Sequence, residues 1–419
     1  MRDDASGLRK AVTMRYAVAL YMSSVLGSGV LVLPGLAARI AGPASLLAWV
    51  VLSLVSYPLA YTFASLSARK PESGGVYSFA RESLGQRWAD VVGWLFIVWY
   101  VTGAPVVTVI AASYLSYTIP LSQTTIYVVA GLIILGTFLI NYQGIVVSSK
   151  IQVAVITSIV GLLLTAVIAS IPLVRVENLT PFFPYGVVPI GVAAALIFWS
   201  YLGYENVSNV AEEFKNPERD FHRSIVISVV VICGLYLSVA IATVGTQAYK
   251  AGGSVAPFAA ILSNAFGVYG GVATGILALF IITGTVNAYT TGMARVIYSV
   301  AKEGGLPTMM ARIHPRTGVP HLSLGLLSGL SLITLVASYF LKIDLQTALL
   351  IPSGAAILVY VIGSASGIRL LKGSRGTVFP WISLGVSLVM MPFVGPVLIV
   401  SAFVALFGLF YRRLRRLHR

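Results

Sequence analysis

The sequence has little charge, almost no cysteine and few histidines. Only 10% of its 419 residues are charged, 58% are hydrophobic, and the mean hydropathy is +0.91. Soluble domains contain roughly 25% charged residues, so this composition excludes a soluble protein. The lone Cys233 excludes an internal disulfide framework. All the histidines fall at loops or helix ends, which argues against a metal cluster or a histidine proton relay; they are His222, His314, His321 and His418.

Long apolar runs fill most of the chain, and no long stretch is polar. Runs of about 20 residues can cross a bilayer as helices. The sequence therefore predicts an all-α polytopic membrane protein made of one transmembrane domain, 1–419, without a soluble domain. We predict twelve spans at approximately 15–41, 45–68, 89–117, 124–142, 151–173, 188–211, 224–246, 267–294, 320–341, 345–368, 377–391 and 394–411. The last two are short, so one long helix there, giving eleven spans, is the alternative.

Lysine and arginine are divided unequally between alternate loops. With twelve spans and a cytoplasmic start, 24 of the 28 lysine and arginine residues fall on the cytoplasmic side. The four on the outer side of the membrane are Arg39, Arg175, Lys250 and Lys342. Cytoplasmic loops retain positive charge, so we expect a multi-pass cell-membrane protein with both termini in the cytoplasm. The net charge of +15 is spread over all the inner loops. This favours contact with anionic lipid headgroups over binding of nucleic acid. Asp3 and Asp4 and the lack of a small-residue cleavage site lead us to expect no cleaved signal peptide.

Two spans contain residues that interrupt helices. The first holds "SSVLGSGVLVLPG" (23–35) and the sixth holds "WSYLGYE" (199–205). Glycine and proline weaken helices, and serine hydroxyls compete for backbone groups. At 1.5 Å per residue, both interruptions fall near mid-depth. The two spans lie five apart and therefore cross in opposite directions. This offset predicts a five-plus-five inverted repeat, about 15–173 and 188–368, with two additional helices at about 377–411.

Interrupted helices expose backbone groups that can bind a small zwitterion. The second half of a broken helix presents unpaired amides and a positive dipole end, and the first half presents unpaired carbonyls. We predict that amides of the first helix hold a carboxylate; these belong to Ser28, Gly29 and Val30. Carbonyls would accept from an ammonium group; these belong to Trp199, Ser200 and Leu202 and to residues near Ser23 and Ser24. An α-amino acid fits this site. The alternative is that Gly27 and Gly29 serve close helix packing.

The side-chain pocket of this site is predicted to be apolar. The spans near the interruptions have no basic residue. Several aromatic residues flank the second interruption; they are Phe198, Trp199, Tyr201 and Tyr204. Packing is an equally ordinary role for these aromatic residues. A neutral substrate side chain is therefore expected.

Glu205 is the one carboxylate predicted to lie well inside the membrane, which makes it a functional candidate. It either caps the inner half of the sixth helix or binds a proton, because burial favours the neutral form of a carboxyl group. The two roles are compatible. Asp90 lies nearer the inner interface and is predicted to cap a helix.

The loop after the second span, "KPESGGVYSFARESLGQRWADVVGW", is amphipathic. Val76, Phe79, Leu84 and Trp88 roughly share a helical face, which predicts a short helix on the inner surface. This segment is either a plain connector, which we favour, or a gate that moves during transport.

Five stretches together resemble the amino acid-polyamine-organocation (APC) superfamily. They are "GSGVLVLPG", "PESGGVYSFARESLG", "FWSYLGYENV", "EEFKNPERDFHRSI" and "NAYTTGMARVIYSVAKEGGLP", in that order along the chain. Length, span number and the "FW…EFKNPERDF" run are most similar to its YjeH-like branch of neutral amino-acid exporters. The resemblance implies alternating access. It further implies that the carboxylate is held at Ser24, Gly27, Ser28 and Gly29, and that the amine and side chain are held at Phe198, Trp199, Ser200 and Leu202. Glu205 would serve gating or protons.

One departure from the family pattern concerns proton coupling. Several proton-coupled relatives have a lysine within the fifth helix, whereas this chain has Ser158 and Ile159 there and Lys150 only at the inner mouth. We therefore expect either that Glu205 carries the proton or that substrates exchange without one. A sodium site among Thr283, Thr285, Thr290 and Thr291 stays open, although packing is the more ordinary role for these hydroxyls. No other cofactor is expected.

These observations predict a secondary transporter of neutral amino acids, of methionine or branched-chain type, that works as an exporter. A proton-linked importer or an exchanger of broader specificity is the first alternative. A receptor that binds amino acid without moving it is the second. An enzyme is not expected, since no nucleophile and base fall at a common depth, and a channel would need a continuous polar path.

Overall fold

The chain is almost entirely helical. The computed structural model describes residues 12–72, 74–250, 255–373 and 376–417, without the side chains of 28, 145–152, 218, 345–346 and 412–417. The described α-helices are α1 Met14–Val25, α2 Ser28–Ala41, α3 Ser45–Arg69, α4 Val76–Leu84, α5 Gln86–Ser116, α6 Gln123–Tyr142, α7 Ile145–Ser170, α8 Val188–Phe198, α9 Pro217–Gly245, α10 Pro257–Lys302, α11 His321–Leu341, α12 Leu345–Leu370, α13 Val378–Met390 and α14 Leu398–Leu417.

Every predicted span overlaps described helices, although α9 begins seven residues before its predicted span and α10 begins ten residues before and ends eight residues after its own. Ten helical runs in the described ranges are long and apolar enough to cross a membrane. Two of these runs, Met14–Arg69 and Val378–Tyr411, each contain two predicted spans. In the second run, α13 and α14 are separate helices, because a 3-10 segment joins them and Gly395 in it has φ 72°. Twelve spans therefore account for the chain better than eleven.

Contacts between helix ends divide the molecule into two sides. We call the side on which α1 begins the N-terminal side. If successive spans cross in opposite directions, every second connection along the chain lies on this side. Residues of such connections bond to one another; the pairs are Val12 with Glu213, Arg81 with Glu303, and Ser83 with Arg369. Other ends meet on the opposite side; these pairs are Arg175 with Gly245, and Thr124 with Tyr339. This pairing agrees with the predicted alternation of spans.

The predicted short helix after the second span is confirmed as α4, with one correction. Val76 and Phe79 are buried beneath the N-terminal side, so α4 packs into the body of the protein. Trp88 is not part of it. It lies in the first turn of α5 and is 44% exposed.

The predicted capping role of Asp90 is wrong. Asp90 is buried inside α5, where its Oδ1 accepts a hydrogen bond of 3.0 Å from Gln86 Nε2. Gly85 occupies the cap position of that helix. Sequence alone suggested a cap because the helix start was placed three residues too late.

The outer faces of the helices are apolar, as lipid contact requires. Large side chains such as Leu54, Val230, Ile333 and Ile399 are mostly exposed. Aromatic rings fill the centre instead: Trp49 packs edge-on against Tyr236 with ring centroids 5.3 Å apart. This aromatic core lies beside the two interrupted helices and holds them in place.

Candidate functional site

The first predicted interruption is present between α1 and α2. Leu26, with φ −78° and ψ 71°, and Gly27, with φ −118° and ψ −136°, leave the helical conformation. The negative φ of Gly27 does not by itself require glycine. Glycine is needed at this position because of the neighbouring atoms. A Cβ at position 27 would lie 2.4 Å from Thr285 Oγ1 in α10. The glycine thus allows α10 to approach the interruption.

The second predicted interruption is also present, and it is longer than the first. After α8, one 3-10 turn leads to Leu202 in extended conformation and then to Gly203 with φ 133°. That φ lies in the region that favours glycine. The chain continues as the 3-10 segment Asn206–Glu213, so the expectation of a regular helix for the second half is wrong.

The two interruptions touch each other, which confirms the central expectation from sequence. A Cβ on Gly203 would lie 2.8 Å from the Ser24 carbonyl oxygen, and a Cβ on Gly29 would lie 2.5 Å from Ser200 Oγ. The Tyr236 hydroxyl of α9 is within hydrogen-bond distance of two carbonyl oxygens, 2.7 Å from Val25 and 2.9 Å from Ser200. Part of the acceptor capacity predicted at Ser200 is therefore used by the protein itself.

A cavity adjoins both interruptions. It leaves about 50 Å³ open to the centres of water-sized molecules. One water needs roughly 10–15 Å³ of such space, so in this conformation the cavity holds room for only a few waters. Its walls come from the two interruptions, α5 and α10; they are Ser24, Val25, Gly27, Gly29, Trp99, Tyr100, Gly103, Ala104, Val107, Trp199, Ser200, Leu202, Thr285, Val286 and Tyr289. Because none of these residues is charged, the cavity suits a neutral side chain and backbone-mediated recognition of charge.

Most of the residues predicted to bind substrate lie at this cavity. Six of them line it: Ser24, Gly27, Gly29, Trp199, Ser200 and Leu202. Ser23 and Phe198 do not. The Ser23 hydroxyl donates to the Leu20 carbonyl, and the buried Phe198 ring packs edge-on against Tyr360. The side chain of Ser28 lies outside the described residues.

Sequence reasoning missed the two walls supplied by α5 and by the part of α10 that follows its kink at Gly267. α5 contributes Trp99, Tyr100, Gly103, Ala104 and Val107, and α10 adds Val286 and Tyr289. An apolar residue facing a cavity looks the same in sequence as one facing lipid, so most of these positions carried no signal. The pair Gly103 and Pro105 in mid-span was the one cue, because glycine and proline weaken the interior of a helix.

Glu205 lies next to the second interruption, fully buried and outside the cavity lining. Its Oε2 accepts a hydrogen bond of 2.8 Å from the Gly203 amide and another from the Tyr360 hydroxyl of α12. The predicted capping role is thus only partly correct: Glu205 satisfies an amide of the interruption and makes no side-chain cap bond to the segment that follows. Its Oε1 has no hydrogen-bond partner among the described residues.

The threonines considered for sodium all hydrogen-bond within α10. Thr283, Thr285 and Thr290 each donate to the carbonyl four residues earlier. Thr291 does the same and also bonds Asn141 of α6. This is the usual behaviour of threonine in membrane helices. A sodium site among them stays a prediction.

At the positions that match the lysine of proton-coupled relatives, the described side chains are Ser158 and Ile159. Ile159 is fully buried, and Ser158 is partly exposed and donates to the Ala154 carbonyl. The side chain of Lys150 lies outside the described residues.

A multi-pass protein with two interrupted helices that meet beside a central cavity belongs to the class of secondary transporters. Comparison with known proteins specifies the family. The model of the amino acid permease family matches residues 13–414, and the chain belongs to this family.

Its relatives are named as permeases and transporters, and the chain is a transporter rather than an enzyme. It is 32% identical over 415 residues, 98% of this chain and 97% of the relative, to the uncharacterized amino acid permease YecA of Bacillus subtilis. It is 29% identical over 88% of both chains to the L-methionine/branched-chain amino acid exporter YjeH of Escherichia coli. It is 28% identical to the branched-chain amino acid permease BcaP of Bacillus subtilis, over 73% of this chain and 70% of the relative.

Proposed function

We propose that this amino acid permease moves neutral amino acids of the methionine and branched-chain type by alternating access, with export as its direction. The main support is the cavity at the two interruptions, whose lining contains no charged residue. A substrate carboxylate would face the first amides of α2, where glycine keeps the backbone open. The aliphatic or thioether side chain would extend toward Trp99 and Gly103 of α5.

The names of two relatives support this substrate class, and their names leave the direction open. YjeH is named as an exporter and BcaP as a permease for branched-chain amino acids. A proton-linked importer or exchanger is therefore the second candidate. We further propose that the protein lies in the cell membrane with both termini in the cytoplasm, as the basic loops indicate.

Gly103 offers a way to test the substrate pose. A Cβ there would lie 3.5 Å from Pro352 Cβ and 3.8 Å from Trp199 Cη2, which is ordinary contact. Gly103→Ala should therefore fold normally, while the added methyl group removes cavity space. We expect weaker transport of isoleucine and methionine relative to alanine, by roughly tenfold if one methylene-sized space is lost.

The direct experiment is counterflow of labelled methionine, leucine, alanine and arginine in proteoliposomes loaded with unlabelled substrate. Methionine and leucine should move and arginine should not. Gly136→Ala is the matched control, because no atom lies within 4 Å of a Cβ at that position. Preferential movement of arginine would overturn the proposed substrate class, and binding of methionine without movement would identify a receptor.

The direction of transport and its coupling to protons are tested in a second experiment. Proteoliposomes with one-sided orientation, with and without a pH gradient, separate export from import. If Glu205 carries the coupled proton, Glu205→Gln should abolish the pH response and leave exchange. A pH response unaltered in that variant would restrict Glu205 to its bonds with Gly203 and Tyr360.

A further inference from the structure

A groove opens on the N-terminal side of the molecule, and none of its described lining residues belongs to the cavity at the interruptions. The end of α3, the beginning of α9, and the end of α12 with the turn that follows it form its walls. Its polar lining residues are Tyr61, Ser65, Arg69, His222 and Lys372, and we call it the basic groove. It leaves about 420 Å³ open to the centres of water-sized molecules, against about 50 Å³ in the cavity at the interruptions. The basic groove therefore has room for a group much larger than a water molecule.

The basic groove carries an excess of positive charge. Arg69 and Lys372 line it, and none of its described lining residues is acidic. Lys372 is exposed and makes no ion pair within the described ranges. Arg69 pairs with Glu82 through Nη1 at 2.9 Å, which leaves further N–H groups of its guanidinium. An anion in the groove would meet the charge of Lys372 and the remaining donors of Arg69.

Neutral hydrogen-bonding groups lie beside these two cations. Ser65 Oγ is 3.3 Å from Nε2 of His222, and the Tyr61 ring packs edge-on against the His222 ring with centroids 5.8 Å apart. These contacts hold the imidazole ring of α9 against α3. Hydroxyl groups donate to phosphate oxygens, and hydrogen bonds from lysine and arginine to phosphate are stronger than neutral ones. The set of donors thus suits a phosphate group.

The lipid-facing side of α3 leads into the basic groove. Residues three or four apart share a helix face. One such line along α3 runs through Leu47, Val50, Leu54, Tyr57 and Tyr61. Its first three side chains are exposed, as lipid-facing side chains are, and its last residue lines the groove. An acyl chain that lies along this line therefore places its headgroup at the groove.

The depth of the basic groove matches that of lipid headgroups. Ser65 lies one turn before the end of α3, about 6 Å along the helix axis. The polar region of a bilayer extends roughly 5–7 Å beyond its hydrocarbon core on each side. On the membrane side of Ser65, Tyr57 and Tyr61 pack against Phe379 of α13 with ring centroids 5.4 and 4.7 Å apart. Tyrosine is enriched at this level of a membrane, because its ring is apolar and its hydroxyl is polar.

We propose that the basic groove binds an anionic phospholipid of the leaflet on the N-terminal side. The lipid phosphate lies at Arg69 and Lys372, and one acyl chain lies along the exposed face of α3. Basic pockets between membrane helices bind anionic lipid headgroups by this chemistry. The site is separate from the substrate cavity, so the proposal does not rest on the proposed function.

An anionic headgroup fits the groove better than a zwitterionic one. A zwitterionic headgroup such as phosphocholine brings its own cation close to the phosphate, and the described lining residues include no carboxylate that would receive it. In phosphatidylglycerol the rest of the headgroup is a neutral glycerol, whose hydroxyl groups suit the polar lining. Phosphatidylglycerol is therefore the probe, and phosphatidylcholine with the same acyl chains is the comparison.

The experiment measures lipid binding to the full chain by native mass spectrometry in detergent. Phosphatidylglycerol should bind more tightly than phosphatidylcholine. Lys372→Gln should weaken the binding of phosphatidylglycerol about fivefold, the effect of one basic residue at an anionic surface. Lys302→Gln is the matched control, because Lys302 is an exposed lysine on the same side, at the end of α10 and outside the groove lining. An equal loss in both variants would overturn the proposal in favour of diffuse attraction to the basic surface.

A second variant tests the groove without a change of charge. Ala68 lines the basic groove, so Ala68→Leu fills part of it and should weaken the binding of phosphatidylglycerol at least as much as Lys372→Gln. Thermal unfolding without lipid shows that each variant is folded. Wild-type binding of phosphatidylglycerol by folded Lys372→Gln and Ala68→Leu would overturn the basic groove as the site.

Free phosphate is the other source of the same chemistry. Phosphatidylglycerol should raise the unfolding temperature of the lipid-depleted protein, because a ligand that binds only the folded state stabilises it. Inorganic phosphate at the same concentration should not. Leu54→Gln places a polar group on the mostly exposed face of α3 and should reduce the effect of phosphatidylglycerol. Equal stabilisation by inorganic phosphate, with no effect of Leu54→Gln, would overturn a lipid as the ligand.

Discussion

Arg295 of α10 holds the carboxylate of Glu213 with two nitrogens. Its Nε lies 2.8 Å from Oε1 and its Nη2 lies 3.4 Å from Oε2, and both side chains are buried. The Glu213 carbonyl accepts from the amide of Val12, and the Lys215 amide donates to the Val12 carbonyl. Glu213 therefore ties both interrupted segments to α10 on the N-terminal side, about 15 Å along α10 from Thr285 in the cavity wall. These contacts join the ends of the interrupted segments and α10 to one another on the N-terminal side.

Glu213→Gln should destabilise the protein by about 3–5 kcal/mol, because it leaves the Arg295 charge buried and unpaired. Thermal or denaturant unfolding in detergent measures the loss. Replacing both residues, as Glu213→Gln with Arg295→Met, should recover most of it. Glu72→Gln weakens the partly exposed pairs with Lys70 and Arg81 and should cost only about 0–1 kcal/mol. Equal effects of the two single variants would show that the buried pair contributes no more to stability than the partly exposed pairs of Glu72.

Gly29→Ala should impair transport while leaving the protein in the membrane. The added Cβ would lie 2.5 Å from Ser200 Oγ and 3.0 Å from Ser200 Cα, so the two interruptions must move apart. Gly161→Ala is the control, since a Cβ there meets nothing within 4 Å. Adding Ser200→Gly to Gly29→Ala should restore part of the activity in the counterflow assay. Unchanged transport by Gly29→Ala alone would contradict the need for this close approach.

Tyr236→Phe should lower stability by about 1–3 kcal/mol, because it removes the hydroxyl shared by the Val25 and Ser200 carbonyls and leaves them buried. The ring contacts with Trp49 and Tyr201 remain. Unfolding should be compared with that of Tyr269→Phe, whose side chain is 88% exposed. If Tyr236→Phe and Tyr269→Phe both have the unfolding midpoint of the wild type, the Tyr236 hydroxyl does not join the two interruptions.

The contribution of Glu82 to stability should depend on pH. Burial raises the pKa of Glu82, but hydrogen bonds and charge from Lys70 and Arg69 outweigh it, so the pKa is lowered overall. The stabilisation is therefore present above the unfolded-state pKa, about 4.3 for glutamate, and is lost as the pH falls through the lower folded-state value. Because solvent screens this pair, it amounts to at most about 1 kcal/mol.

Unfolding temperatures of the wild type and Glu82→Gln over a pH series check this expectation. Glu82→Gln should unfold at a lower temperature than the wild type at neutral pH, and the two should converge in acid. A difference that persists below the folded-state pKa would mean that the charge of Glu82 is not its source.

The spans and the two interruptions were predictable because their signals are local. A membrane helix is marked by the length of an apolar run, and an interruption by glycine, proline and serine within it, as at Gly27 and Gly203. The inverted repeat stays a prediction, since the spacing of the interruptions remains its only support. The 3-10 form of 206–213 was not predictable, because a polar helix and a polar 3-10 segment have similar composition.

The sequence by itself determined that the chain has about twelve apolar spans and that its first and sixth spans are interrupted. Hydrophobicity and helix-breaking residues act on their immediate neighbours along the chain, so no knowledge of folding was needed. Only the tertiary structure decided that α5 and α10 complete the cavity and that Tyr360 bonds Glu205. These contacts join residues far apart in sequence, and the packing that selects them depends on the shapes of all the helices together.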